Sequence, residues 1–189
     1  MKLLKIGLAA FFLIFFISAC SQTDDRVQGR EDVDQALSES FSEDISLLDA
    51  EHYTISQAHI EYDDNNDPEQ LYVYYSQSVK NQLKDYFQNQ QHLKDWEEQH
   101  NFKILYGPYK SDEKLVVRYK ISQHASKLRN STTISGHRVY TGTGSMEKDI
   151  TNFEFNINGI TYTWTYLENS ELDDAAMKKE VKQFIERLD

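Results

Sequence analysis

The fold of this chain is decided at residues 153–164, which read Phe-Glu-Phe-Asn-Ile-Asn-Gly-Ile-Thr-Tyr-Thr-Trp. Two alternating runs flank Asn158-Gly159, and this dipeptide suits a type I′ turn because both of its positions need positive φ. A two-residue loop also fixes the strand register. The resulting pairs are Ile157 with Ile160, Phe155 with Tyr162, and Phe153 with Trp164. All six side chains then share one face, so we predict a hairpin with one buried side.

Strand patterns recur on both sides of this hairpin. Runs rich in Tyr, Ile and Val predict strands at residues 53–62, 71–76, 102–106, 114–123 and 132–141. Turn-forming residues fill the interval 63–69, and Gly107-Pro108 separates two of the strands. Within residues 114–123, one face of the predicted strand carries Leu115, Val117, Tyr119 and Ile121, and the other carries Val116, Arg118, Lys120 and Ser122. This alternation is typical of a strand with one buried face.

Three segments show helical periodicity instead. Apolar side chains recur at helical spacing through residues 31–48 and again through 78–100, where no Gly or Pro interrupts the pattern. A closing helix is predicted over 171–188, with Ser170 as its N-cap. No internal repeat is present. This order predicts a single domain of the α+β class, an antiparallel sheet packed with an interior and a C-terminal helix.

The N-terminus has the pattern of an export signal. Lys2 and Lys5 precede a 14-residue apolar run at 6–19, which is shorter than the roughly 20 residues of a membrane-spanning helix. The run ends Ile17-Ser18-Ala19-Cys20. This motif resembles the lipobox of bacterial lipoproteins, with Ile17 where Leu is commoner. The resemblance implies cleavage between Ala19 and Cys20 and a lipid anchor on Cys20, a diacylglyceryl cysteine with palmitate among its expected acyl chains.

The predicted organisation follows from this motif. It comprises a signal peptide at 1–19, a flexible tether at 20–30, a helix at 31–50 that leads into the domain, and one α+β domain at 51–189. Because Cys20 is the chain's one cysteine, no intramolecular disulfide can form and the domain rests on its core. We expect a protein at the cell membrane that is lipid-anchored and faces the extracytoplasmic side. The sequence makes no prediction of its oligomeric state.

Charge narrows the range of partners. The 189 residues carry 20 basic and 31 acidic side chains, a net charge of −11. Removing the leader, with Lys2 and Lys5 and no acidic residue, leaves 18 basic and 31 acidic residues, a net charge of −13. Nucleic-acid binding requires clustered Lys and Arg, so no nucleic-acid partner is expected. The acidity also disfavours close contact with anionic lipid surfaces.

The late half of the chain carries a second resemblance. A strand ending at 119–123 precedes the Ile-Ser-Gly-His sequence of 134–137, the Phe-Asn-Ile-Asn-Gly-Ile-Thr-Tyr sequence of 155–162 and the final helix. Over roughly residues 113–188 this series is similar to a functionally uncharacterised domain of lipoproteins and sporulation-associated envelope proteins of Gram-positive bacteria. The resemblance extends to the curved-sheet folds of lipoprotein carriers and sigma-regulator sensors. It implies a curved antiparallel sheet with helices against its concave face, and it brings no catalytic residues that could be carried over to this chain.

The predicted turn at residues 63–69 matches a calcium-binding loop only in part. Asp63, Asn65 and Asp67 occupy the first three ligand positions of a calcium loop. The sixth position is Pro68 instead of Gly, and the twelfth is Tyr74 instead of Glu. A solvated turn between two strands is the predicted structure, with weak surface calcium binding left open.

Other catalytic patterns are also incomplete. The six histidines are His52, His59, His92, His100, His124 and His137, and no two lie at the helical spacing of a zinc site. We assign them ordinary surface or edge roles. Residues 142–145, Gly-Thr-Gly-Ser, lack the neighbours of a phosphate loop or nucleophile elbow and are predicted as a flexible strand connection. We therefore predict no catalytic residue, no metal site and no cofactor.

The aromatic residues are the one unusual enrichment. All 12 Tyr follow the leader, and Tyr72, Tyr74 and Tyr75 place rings on both faces of one predicted strand. Half-exposed strands favour such rings, but the three could also form an aromatic ligand surface. The leading hypothesis is a non-enzymatic binding or interaction module of the cell envelope, with an envelope protein as a possible partner. The alternative is a carrier or sensor of a small apolar ligand, a lipid, glycan or peptide held against a curved sheet. An envelope hydrolase ranks third.

Overall fold

The computed structural model describes residues 33–35, 39, 45–48, 52–121, 127–145, 149–167 and 170–189. In chain order the elements are β1 (Thr54–Tyr62), β2 (Pro68–Leu83), a 3₁₀ turn (Asp85–Gln88), α1 (Gln90–His100), β3 (Phe102–Tyr106), β4 (Tyr109–Ile121), β5 (Asn130–Ile134), β6 (His137–Ser145), β7 (Asp149–Ile157), β8 (Ile160–Tyr166) and α2 (Asp174–Leu188). The strands form one sheet in the order β3-β1-β2-β4-β8-β7-β6-β5. Every neighbouring pair is antiparallel.

The β7–β8 hairpin has the predicted register. Its three predicted cross-strand pairs are all present, and its turn residues Asn158 and Gly159 have φ of 53° and 85°. The six paired side chains are at most 4% exposed. The turn residues and the burial of one face therefore specify the same register, because a one-residue slip would bring all six side chains to the opposite face.

The buried face of the sheet packs against α2. Met177, Val181, Phe184 and Ile185 of this helix are buried. The Phe184 ring lies 5.2 Å from Trp164, 5.4 Å from Tyr162 and 6.3 Å from Phe155, measured between ring centroids. Large rings thus fill the layer between α2 and the hairpin. We call this side of the sheet the core face and the opposite side the outer face.

The interior helix, α1, is shorter than predicted and lies on the outer face of the sheet. Residues 78–83 continue β2, where Val79 pairs with Ser111 and Leu83 with Tyr109, so α1 comprises only Gln90–His100. Pairing with β4 overrides the helical pattern of the first half, and Asn89 caps the helix through its side chain. The Trp96 ring packs at 4.3 Å on Phe102, which is paired with Glu61 on the outer face. The implied placement of both helices on one face is therefore wrong.

Three other predicted elements need correction. The strand predicted at 132–141 is the β5–β6 hairpin, because Ser135 and Gly136 take φ of 47° and 84° and form a tight turn. The helix predicted to reach Leu48 does not, since 45–48 are not helical, although 33–35 are. Leu47 and Leu48 are nevertheless buried in the core. The C-terminal helix is capped by Asp173, whose carboxylate accepts from the Ala176 N–H at 2.8 Å, and not by Ser170.

In coarse terms the predicted class is confirmed: one antiparallel sheet and a C-terminal helix. Within the described residues, no helix is both long and apolar enough to cross a membrane. Residues 1–32, with the predicted signal peptide and Cys20, lie outside the described part of the chain.

Candidate functional site

The outer face carries continuous transverse rows of polar and aromatic side chains. The central row consists of cross-strand partners on six strands: His59, Tyr72, Arg118, Thr163, Glu154 and Tyr140. Strand alternation produces this row, since the residues before and after each member point to the core face. Residues far apart in sequence thus come side by side without any special loop geometry.

An open cleft of about 630 Å³ lies over the middle of this face. Its lining comes from β2, β4, β7, β8 and the segment after β4: Gln70, Arg118, Lys120, Lys127, Leu128, Asn152, Glu154 and Thr163. We call it the outer cleft. Its volume is within the range of about 300–1,000 Å³ that is typical of small-molecule sites. Its charged and amide side chains distinguish it from an apolar ligand cavity.

Arg118 occupies the floor of the outer cleft. One guanidinium nitrogen, Nη2, donates to Thr163 Oγ1 at 3.1 Å. Its Nε is buried and has no hydrogen-bond partner in the structure. A guanidinium has five N–H donors, and a buried donor that is left without an acceptor costs about 1–3 kcal/mol. An acceptor oxygen in the cleft would recover part of that free energy.

Glu154 faces the same space from the far side of Thr163. The two are cross-strand partners, and Glu154 is only 7% exposed. Among the described residues, none forms an ion pair with Glu154. Lys120, by contrast, forms an ion pair with Glu69, and Lys127 is exposed at the rim. The cleft therefore presents separated positive and negative groups.

One wall of the cleft depends on a glycine that the sequence pattern did not identify. Residues 142–145 belong to strand β6 and are not the flexible connection that was predicted. Leu128, which lines the cleft, lies directly over Gly142: a Cβ on that residue would come within 2.8 Å of Leu128 Cδ2. The glycine thus allows this segment to approach the sheet. A Gly within a strand signals such a close approach.

The predicted aromatic surface is divided between the two faces. Tyr75 is 1% exposed in the core, where its hydroxyl lies 3.4 Å from that of Tyr119. Tyr72 and Tyr74 lie together on the outer face, one strand from Arg118. Burial raises the pKa of Tyr74 to about 12 and raises that of Tyr72 as well. Both phenols therefore stay neutral near pH 7 and can serve as hydrogen-bonding groups.

His59 departs from the predicted surface role of the histidines. It is 7% exposed, and its ring centroid lies 4.9 Å from Tyr72 and 4.7 Å from Phe102. Its Nδ1 lies 3.3 Å from Gln57 Nε2. Burial lowers the pKa of His59 to about 4, so the ring is neutral at physiological pH. It serves as part of the aromatic layer beneath α1.

The calcium-like loop hydrogen-bonds to itself. Asp63 Oδ1 accepts from the backbone N–H groups of Asn65 at 2.8 Å and Asp67 at 2.9 Å. Those bonds form an Asx-type turn and lower the pKa of the Asp63 carboxyl. Within the described ranges, no group of three or more His, Cys, Asp or Glu side chains could hold a metal ion.

Cys20 and Ala19, the predicted lipid-attachment and cleavage residues, lie outside the described residues. Of the predicted site residues, Tyr72 and Tyr74 are brought near the outer cleft. The charged lining of the cleft comes from strands and from the segment after β4, whose sequences carry no recognisable motif. Comparison with known proteins gives no further assignment, since no family model, curated protein or solved structure matches this chain.

Proposed function

We propose that this protein is a membrane-anchored extracytoplasmic lipoprotein whose domain is a non-enzymatic binding module for a small polar ligand. The outer cleft carries the proposal, because five segments of the chain contribute charged and hydrogen-bonding side chains to one space. Most such sites are concave and have few, well-placed polar groups. A carrier of an apolar ligand has less support, since large rings such as Trp164 and Phe184 fill the core face.

Anchoring rests on the lipobox-like motif at residues 17–20. One acyl chain holds a protein only marginally, whereas two or more give stable attachment. The predicted tether at residues 20–30 would let the acidic domain stand away from anionic lipid, and the cleft would then face the extracytoplasmic medium.

We also infer that the sheet is curved around α2. Strands twist with a fixed hand, and the bulges in β1 and β2 bend a sheet further. Curvature of this kind would wrap the core face around the helix and spread the outer face open, which suits an accessible cleft.

The anchor is tested by Cys20→Ser in a bacterial host. We expect wild-type protein to fractionate with membranes and to incorporate labelled palmitate, because the thiol is the acylated nucleophile. The variant should lack the label and leave the membrane fraction or remain unprocessed. Ser21→Ala, which keeps the thiol, is the control. Equal membrane retention and equal processing of the Cys20→Ser protein would overturn the anchor.

The binding function is tested by filling the cleft. Thr163→Trp places a large ring in the outer cleft, and Thr54→Trp places the same ring at an exposed position outside it. Each protein is dialysed against small molecules extracted from the bacterial envelope, and retained compounds are measured by mass spectrometry. At least one compound should be enriched by the wild type and by Thr54→Trp but not by Thr163→Trp. Identical profiles for all three proteins would contradict a binding role for the cleft.

A further inference from the structure

We propose that the outer cleft recognises a zwitterion, a small molecule with a carboxylate that binds Arg118 and an ammonium group that binds Glu154. The inference rests on the proposed binding function and names the ligand class of that site. Free amino acids and short peptides share this chemistry, and the experiment below separates them.

The register sets the two charges at a defined separation. Arg118 on β4 pairs with Thr163 on β8, and Thr163 pairs with Glu154 on β7. Neighbouring strands lie about 4.8 Å apart, so the Cα atoms of Arg118 and Glu154 are separated by roughly 10 Å. Both side chains line the same cleft. The gap between them is occupied by a threonine, whose short side chain leaves room for a ligand above it.

The positive end is incomplete without an acceptor. The Nη2 atom of Arg118 is held by the Thr163 hydroxyl, which fixes the guanidinium on the sheet. Its buried Nε has no partner in the structure. Planar guanidinium groups bind carboxylates through paired N–H donors, so a ligand carboxylate matches the group both in charge and in hydrogen bonding.

The negative end lacks a charged partner. Glu154 is 7% exposed, and a carboxylate removed from water to this extent is costly unless it is paired. Within the described part of the chain, no lysine or arginine lies within ion-pair distance of it. An ammonium group of a ligand would supply the missing charge. Asn152 lines the same end of the cleft and adds an amide for hydrogen bonding.

The other charged side chains of the cleft favour the same orientation of the ligand, with its carboxylate toward Arg118. Lys120 is neutralised by Glu69, which leaves Arg118 as the cation on the floor. Lys127 at the rim adds positive charge near the cleft and would attract the carboxylate end. A ligand with only positive charge would meet these groups unfavourably, and a purely anionic ligand would leave Glu154 unpaired.

The first test varies the ligand and leaves the protein intact. The full-length lipoprotein in detergent micelles is titrated with dialanine, N-acetyl-dialanine and dialanine amide, by calorimetry and saturation-transfer NMR. Dialanine should bind, and either blocked analogue should bind about tenfold more weakly or worse, because each lacks one charged hydrogen-bonding group. Alanine should bind more weakly than dialanine, since its ammonium and carboxylate are one residue closer together and can less readily contact Arg118 and Glu154 at the same time. Preference for alanine would assign the site to free amino acids.

The second test assigns each charge to a side chain. Arg118→Gln should remove the preference for dialanine over dialanine amide, and Glu154→Gln should remove the preference over N-acetyl-dialanine. Matched controls are Arg138→Gln and Glu171→Gln, which change exposed residues outside the cleft. Thermal unfolding of each variant establishes that it is folded. Unchanged preferences in folded Arg118→Gln and Glu154→Gln proteins would overturn the assignment.

The outcomes separate this inference from the proposed function. Equal affinity for dialanine and N-acetyl-dialanine, or no binding of any probe, would overturn zwitterion recognition. The enrichment experiment with Thr163→Trp would still decide whether the cleft binds some other small molecule. If that experiment also fails, the binding module itself is contradicted.

Discussion

Gly107 sits where no side chain fits. Its φ is +71°, and a Cβ at this position would collide with the backbone carbonyl of Ser56 on the neighbouring part of β1. The strained φ costs about 1–2 kcal/mol for an L-residue, and displacement of packed atoms costs about 1–3 kcal/mol more. Gly107→Ala should therefore lower the free energy of unfolding by about 2–5 kcal/mol, measured by urea denaturation.

Gly136 provides the comparison for Gly107. Its φ is similar, +84°, but a Cβ there would have nothing within 4 Å. Gly136→Ala should cost only the backbone strain, about 1–2 kcal/mol. An equal loss in both variants would contradict the idea that contact with the Ser56 carbonyl is decisive at Gly107. Sequence alone marks both as turn glycines and cannot rank them, because the carbonyl belongs to Ser56, 51 positions earlier in the chain.

At the scale of single elements, the N-cap of α2 is where the structure differs most clearly from the sequence-based prediction. Asp173 accepts the Ala176 N–H, whereas the Ser170 N–H donates to the Leu167 carbonyl in the preceding turn. Asp173→Ala should lower the free energy of unfolding by about 1 kcal/mol, and Ser170→Ala should change it by a few tenths at most. Urea denaturation of both variants checks this. The reverse ranking would restore Ser170 as the cap.

Elements were predictable where local chemistry and the tertiary partner agreed. The β7–β8 hairpin contains its own turn, register and buried face, so residues 153–164 sufficed to predict it. Residues 78–83 have a helical pattern and yet form a strand, because β4 pairs with them, as in Val79 with Ser111. The outer cleft is not predictable from the sequence for a related reason. Arg118, Glu154 and Thr163 look like ordinary solvent-facing strand residues until the β4–β8 pairing brings them together.

For the whole molecule, His59 makes stability depend on pH. Burial lowers its pKa from the ordinary value of 6.5 to about 4, so the folded state resists protonation that the unfolded state accepts. The stabilisation is complete above pH 6.5 and falls as pH drops toward 4. Between pH 7 and pH 5 it should decrease by about 2 kcal/mol.

Urea denaturation at pH 7 and pH 5 checks this expectation. His59→Phe keeps a ring beside Tyr72 and Phe102 but cannot be protonated, so its stability should change less between the two pH values. His92→Phe replaces an exposed histidine and should keep the wild-type response. A wild-type response in His59→Phe would assign the acid sensitivity to other groups, such as the carboxylates.

The strand order divides the sheet into two halves that meet at one seam. Strands β1 to β4 form one half and β5 to β8 the other, and β4 with β8 joins them through pairs such as Val117 with Trp164. Contacts that close long loops carry the largest entropic cost during folding. The outer cleft spans this seam, with Arg118 on one side and Glu154 on the other. A ligand bound in the cleft would therefore contact both half-sheets and stabilise their pairing. The complete cleft would exist only after β4 and β8 have paired during folding.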